Sequence, residues 1–159
     1  MVMVYVLACL VLVSSCAHKV DEIRLVPQQH RYSMMIACDS SKFKDSVREK
    51  IIEKYRNSCA IHVVNIKALS KEDTAPYDVV LIMDTCMAWS GFNPSLKTYL
   101  SDWNKRDKTV LSMTAGNPDW TFSYNGVDAI TSASVVENQD LFFSKIDDEI
   151  QRILNEKSH

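Results

Sequence analysis

A chain of 159 residues is long enough to bury one substantial core and short for two. Its 18 Lys+Arg against 20 Asp+Glu give a formal charge of -2, which offers no basic excess to a nucleic-acid backbone, while 47% hydrophobic and 24% charged residues are globular rather than disordered composition. With 3 glycines, where average usage of about 7% would give roughly 11, and with neither G-x-G-x-x-G nor G-x-x-x-x-G-K-[ST] present, a glycine-rich phosphate cradle is excluded.

Met1 to Val13 is apolar and uncharged. As helix it would rise about 20 Å, short of the roughly 30 Å hydrocarbon core, a length that suits the apolar region of a secretory signal. The next residues, Val13-Ser14-Ser15-Cys16, resemble a bacterial lipobox. That resemblance implies a signal over residues 1–15, cleavage before a diacylglycerol-modified Cys16, and attachment to the bacterial cell envelope. Ala17, in place of an Asp that retains some lipoproteins in the inner membrane, points to the outer membrane facing the periplasm. Residues 16–31 are polar without sustained periodicity and read as a lipidated tether, with His18 and His30 as solvated side chains. The domain is expected over residues 32–157, its membrane contact made through the lipid and its protein partner unidentified.

Tyr32 to Ala37 is a short apolar run that suits a strand buried on both faces. From Lys42 to Asn57, Phe43, Val47, Ile51, Ile52 and Tyr55 recur at helical spacing behind the N-cap candidates Ser40 and Ser41. Ile61 to Ile66 reads as a second strand, residues 67–77 as a connection holding a helical turn before Pro76, and Asp78 to Met83 as a third strand. Pro94 opens a helix with Leu96, Tyr99, Leu100 and Trp103 on one stripe. Lys108 to Met113 is a fourth strand, Val127 to Thr131 a fifth, and Leu141 to Leu154 a closing amphipathic helix on which Asp147 and Asp148 read as a solvated face. Strands alternating with helices predict an α/β fold with a doubly wound five-stranded parallel sheet, order 2-1-3-4-5. Ligands in such sheets sit beyond the carboxyl ends of the strands at the switch point, which singles out the loops at residues 38–41, 84–93 and 114–125.

The stretch PYDVVLIMDTCMAWSGFNPSLKTYLSDWNKRDKTVLSMTAGNPDW, Pro76 to Trp120, resembles the central part of flavodoxin-like domains: a Tyr-Asp before an apolar strand, a loop with an aromatic and a Gly, a Pro at a helix start, and a strand ending in Thr-x-Gly. The resemblance implies FMN as a possible cofactor. Ser40, Ser41 and Lys42 would hold its phosphate at a helix N-terminus, Trp89 and Trp120 would sandwich the ring, and Asp84 with the Gly116-Asn117 backbone would tune it. The aligned clamp, Cys38-Asp39-Ser40-Ser41-Lys42-Phe43-Lys44, lacks the family's Gly, and Asp39 repels a phosphate unless Lys42 or Lys44 offsets it. Response-regulator receiver domains share the fold, and Asp39, Asp84 and Thr114-Ala115 fall on their acidic and Thr-Ala positions. No Lys follows the fifth strand, however, where residues 131–136 read TSASVV.

Cys38 and Cys86 lie at the ends of strands expected to be neighbours about 4.8 Å apart, so they are either a disulfide or two small buried hydrophobes. Cys59 is packed or free. No C-x-x-C, H-E-x-x-H or G-x-S-x-G occurs, and His62 stands in a strand without a partner at ligand spacing, so neither a metal site nor a serine hydrolase is indicated. Two functions follow: an envelope-anchored FMN electron carrier, or a degenerate flavodoxin-like domain serving as a non-catalytic binding or scaffold lipoprotein.

Overall fold

The computed structural model describes residues 20–87, 91–117 and 119–158. In chain order these form β1 (Ile23–Leu25), β2 (Tyr32–Cys38), α1 (Lys42–Tyr55), β3 (Cys59–Asn65), β4 (Val79–Thr85), α2 (Pro94–Leu100), β5 (Thr109–Ala115), β6 (Ser123–Tyr124), β7 (Val127–Asp128), β8 (Ile130–Ala133) and α3 (Gln139–Glu156), with 3₁₀ turns at Ile66–Lys71, Trp103–Lys108 and Val136–Asn138. No helix among the described residues is long and apolar enough to cross a membrane. Cys16 and the signal lie outside the described residues.

The main sheet has the order β1-β3-β2-β4-β5-β8. Its last five strands are parallel and, numbered among themselves, run 2-1-3-4-5. The sheet is nevertheless six-stranded and mixed, because β1 pairs antiparallel with β3, Ile23 opposite Val63 and Leu25 opposite Ile61. This edge strand falls inside the stretch expected to be tether. Three residues are too few to show a period, but Ile23 and Leu25 alternate with Arg24 and pack against the core. Behind them Glu22 Oε1 meets His62 Nε2 at 2.9 Å, and the Tyr77 hydroxyl meets His62 Nδ1 at 2.7 Å. Both nitrogens of a buried imidazole are thereby satisfied, and the bond from His62 holds the Glu22 carboxyl below its ordinary range.

Period-2 alternation divides the strand side chains between two layers. Met34, Ile36, Cys38, Leu81 and Met83 face α1 and α3, whose Phe43, Val47, Ile51, Phe142, Ile146 and Ile150 complete that core. Met35, Ala37, Val80, Ile82, Leu111 and Met113 face Leu96, Tyr99 and Leu100 of α2 with Ile66 and Leu69. Helices α1 and α3 are also tied by the Tyr55 hydroxyl, which donates to Asp147 Oδ1 (2.7 Å), and by Lys54 on the same carboxylate. Asp147 is therefore an inter-helix anchor, and only Asp148 is exposed. Two further expectations are corrected. The α2 stripe stops at Leu100, and Trp103, in the following 3₁₀ turn, is 67% exposed. The predicted fifth strand at 127–131 is split: Asn125 and Gly126, at φ 49° and 75°, close a β6–β7 hairpin as an Asn-Gly pair favours, and β8 starts only at Ile130.

The fully buried Ile146 and the exposed Trp103 make a clean pair for testing this packing. Ile146→Ala is expected to cost about 2–5 kcal/mol in urea denaturation, and Trp103→Ala, which loses only its ring's contact with the Arg106 guanidinium, no more than about 1 kcal/mol.

Candidate functional site

The carboxyl ends of β2, β4 and β5 converge on the N-terminus of α1. That helix starts where Ser41, in extended conformation, caps it by accepting the Lys44 amide on Oγ at 3.2 Å. The neighbouring Ser40 hydroxyl donates to Asp45 Oδ2 at 2.7 Å, and Asp45 Oδ1 accepts from Arg48 at 2.7 Å. Both serines expected to face a phosphate are thus used within the helix start, and Lys42 is exposed.

Lys44, which sequence reasoning considered only as an offset to Asp39, is the organising residue. Its side chain is 2% exposed, and its ammonium forms an ion pair with Asp39 Oδ1 and donates to Thr85 Oγ1 at 2.5 Å. Thr85 and Thr114 hydroxyls meet at 3.0 Å, and Thr114 Oγ1 donates to the Asp84 carbonyl at 3.4 Å. One chain of donors therefore runs from α1 across β4 to β5. Asp84 itself is 4% exposed; its Oδ2 accepts the Asn93 amide at 2.9 Å, while Asn93 Oδ1 caps α2 by accepting the Ser95 amide. Burial raises the Asp84 carboxyl above the ordinary range, with the Asn93 and Thr85 amides pulling the other way.

The loop after β5 leaves Gly116 and Asn117 exposed, Asn117 Oδ1 accepting the Asp119 amide. Trp120 is half-buried and packs on Phe122, ring centres 5.5 Å apart at 35°, in a cluster that continues through Phe92 to Tyr124. It anchors the loop to the α2 side of the sheet. Trp89, its expected counterpart, lies outside the described residues. Cys38 and Cys86 are free thiols, which corrects the possible disulfide. Cys38 lies opposite Met83, three residues before Cys86, and the two side chains pack on opposite layers of the sheet. Burial pushes the Cys38 thiol up, against the pull of Arg48 Nη1 at 3.7 Å, so it is not poised as a nucleophile.

A flavin phosphate does not fit these residues. The Lys44 ammonium already has its anion, the Asp39 carboxylate, and the Ser40 hydroxyl donates to Asp45. Among the described residues no group of three His, Cys, Asp or Glu is placed to hold a metal ion. A groove of about 970 Å³ lined by Arg106, Thr109, Leu111, Gly126, Lys145 and Arg152 lies by the opposite, amino end of β5, away from the strand ends where such sheets bind ligands.

No model of a protein family matches the chain, and no curated protein matches it. Among solved structures it is similar to the crystal structure of oxidised flavodoxin 1 from Bacillus cereus, at 11% identity and a TM-score of 0.43, over 75% of this chain and 97% of that one. The strand order of the sheet itself defines the class, an α/β doubly wound architecture of flavodoxin-like topology.

Asp84 gives a pH test of the site. A carboxyl whose pKa is raised on folding binds more protons in the native than in the unfolded state, so its contribution to stability falls as pH rises through the folded pKa. Asp84→Asn, which keeps an acceptor for the Asn93 amide, is expected to melt higher than wild type at neutral pH, the gap closing in acid where Asp84 is protonated in both states. A wild type that outlasts the variant at neutral pH would contradict this.

Proposed function

We propose that the chain is a flavodoxin-like domain acting as a non-catalytic binding or scaffold module, held at the bacterial cell envelope by a lipid on Cys16. The observation that carries this reading is the Lys44–Asp39 pair, which satisfies internally the place where a phosphate would have to be held. Among the described residues at the strand ends no nucleophile is paired with a base: the Cys38 thiol is raised by burial, and Asp84 accepts the Asn93 amide. The envelope part rests on the sequence, where an uncharged apolar run ends at Val13-Ser14-Ser15-Cys16. A second reading, electron transfer through FMN, is favoured by one observation: the loop after β5 carries the half-buried Trp120 and the exposed Gly116 and Asn117, the residue types that could line a planar ring.

Titrating FMN into the protein while following flavin fluorescence separates the two. The binding-module reading expects no quenching at millimolar FMN. Saturable quenching that weakens about tenfold in Trp120→Ala, the loss of roughly one aromatic contact, would establish the electron-transfer reading instead. For the anchor, expression in a bacterial host is expected to place the protein in membranes, and Cys16→Ala to release it or leave an unprocessed precursor. Identical partitioning and mobility of the two would refute the lipid.

A further inference from the structure

We propose that Asp39 is the residue that closes the strand-end crevice to phosphate, by serving as the built-in anion of Lys44. The inference rests on the binding-module reading and names what sets the specificity of that site.

The pair is asymmetric. The Lys44 side chain is 2% exposed and the Asp39 side chain 40%, so the cation is fixed inside while the carboxylate stands on the solvent side, where an incoming anion would approach. On its inner side Lys44 is held by the Thr85 hydroxyl, and the Thr85–Thr114 contact leads on to the Asp84 carbonyl. The ammonium is thereby aimed outward at Asp39. The nearby carboxylates are engaged elsewhere: Asp45 by Ser40 and Arg48, Asp84 by the Asn93 amide. Lys44 also lies in the first turn of the 14-residue α1, where the helix dipole favours negative charge. Every element of an anion site is present, and its ligand is a side chain of the same protein. A phosphate-bearing ligand must displace a covalently tethered competitor and meet its repulsion, whereas an uncharged ligand meets neither.

Without Asp39, a buried ammonium is left uncompensated, which is strongly destabilising, and an anion that binds only the native state restores stability by mass action. The experiment compares wild type, Asp39→Asn, Asp39→Ser and Asp39→Asn/Lys44→Gln by thermal melting against inorganic phosphate at matched ionic strength, and by binding of FMN against riboflavin. Both single Asp39 variants are expected to melt below wild type and to be raised by phosphate more than wild type is, including rescue of a variant that does not fold without it. They are expected to bind FMN at least about tenfold more tightly than riboflavin, and the double variant to lose both effects. Absence of a phosphate-specific rise in both single variants, or a rise that survives Lys44→Gln, overturns the inference and leaves the binding-module reading standing. Wild type binding FMN and riboflavin equally would overturn the binding-module reading and leave the role of Asp39 intact; wild type strongly preferring FMN would overturn both.

Discussion

Lys44 carries a full charge into the junction where three strands end and a helix begins, and the site's architecture follows from how that charge is met. A buried ammonium is tolerated only when paired and hydrogen-bonded. Here Asp39 supplies the counter-charge from the turn after β2, and Thr85 from β4 supplies a neutral acceptor. Because the partners come from different elements, the pair fixes the start of α1 against the sheet, and the contact of Thr85 with Thr114 extends that restraint to β5. Such a pair contributes less net stability than its Coulomb energy implies, since both ions are taken out of water; Asp39 remains partly solvated, which reduces both sides of the balance.

A doubly wound sheet presents strand ends and helix N-termini to one crevice whatever its function, and fold alone does not specify a reaction. At this crevice Lys44, Ser40, Asp45 and Asp84 have partners within the protein. Ser40, Asp45 and Arg48 form one chain at the α1 start, where Ser41 caps the Lys44 amide and Arg48 Nε is buried without a partner among the described residues; Asp84 and Asn93 are linked at the α2 start. The exposed polar backbone near the crevice is at Gly116 and Asn117, on a loop pinned by Trp120. A ligand or partner there would meet that loop, the carboxylate of Asp39 and the exposed Met87.

The long elements were legible in the sequence because they obey a single period. Asp78–Met83 reads as a buried strand, and Val79–Thr85 forms one, while α3 keeps Phe142, Ile146, Ile150 and Ile153 on one face as its spacing dictates. Short elements failed for lack of length: three residues of β1 show no period, and the Asn125-Gly126 hairpin was hidden by reading Val127 to Thr131 as one strand although the dipeptide itself signals a turn. Ser40, Ser41, Gly116, Asn117 and Trp120 fall on loops as expected, whereas Asp84 ends up inside β4 and Lys42 opens α1; the contacts of all of them depend on side-chain partners that sequence spacing does not give. Asp147 read as solvated because its partner Tyr55 is 92 residues away. The disulfide reading failed on register, since Cys38 lies opposite Met83 and Cys86 comes three residues later, beyond the end of β4.

The central claim is that the Lys44 ammonium already has its anion. It is tested most directly by ¹⁵N NMR of the Lys44 Nζ group with side-chain correlations to Asp39, recorded with and without phosphate. A slowly exchanging ammonium correlated with the Asp39 carboxylate and unmoved by millimolar phosphate or FMN is the predicted result. An ammonium that exchanges freely, or whose resonance shifts and loses its Asp39 correlation when phosphate is added, would contradict the account.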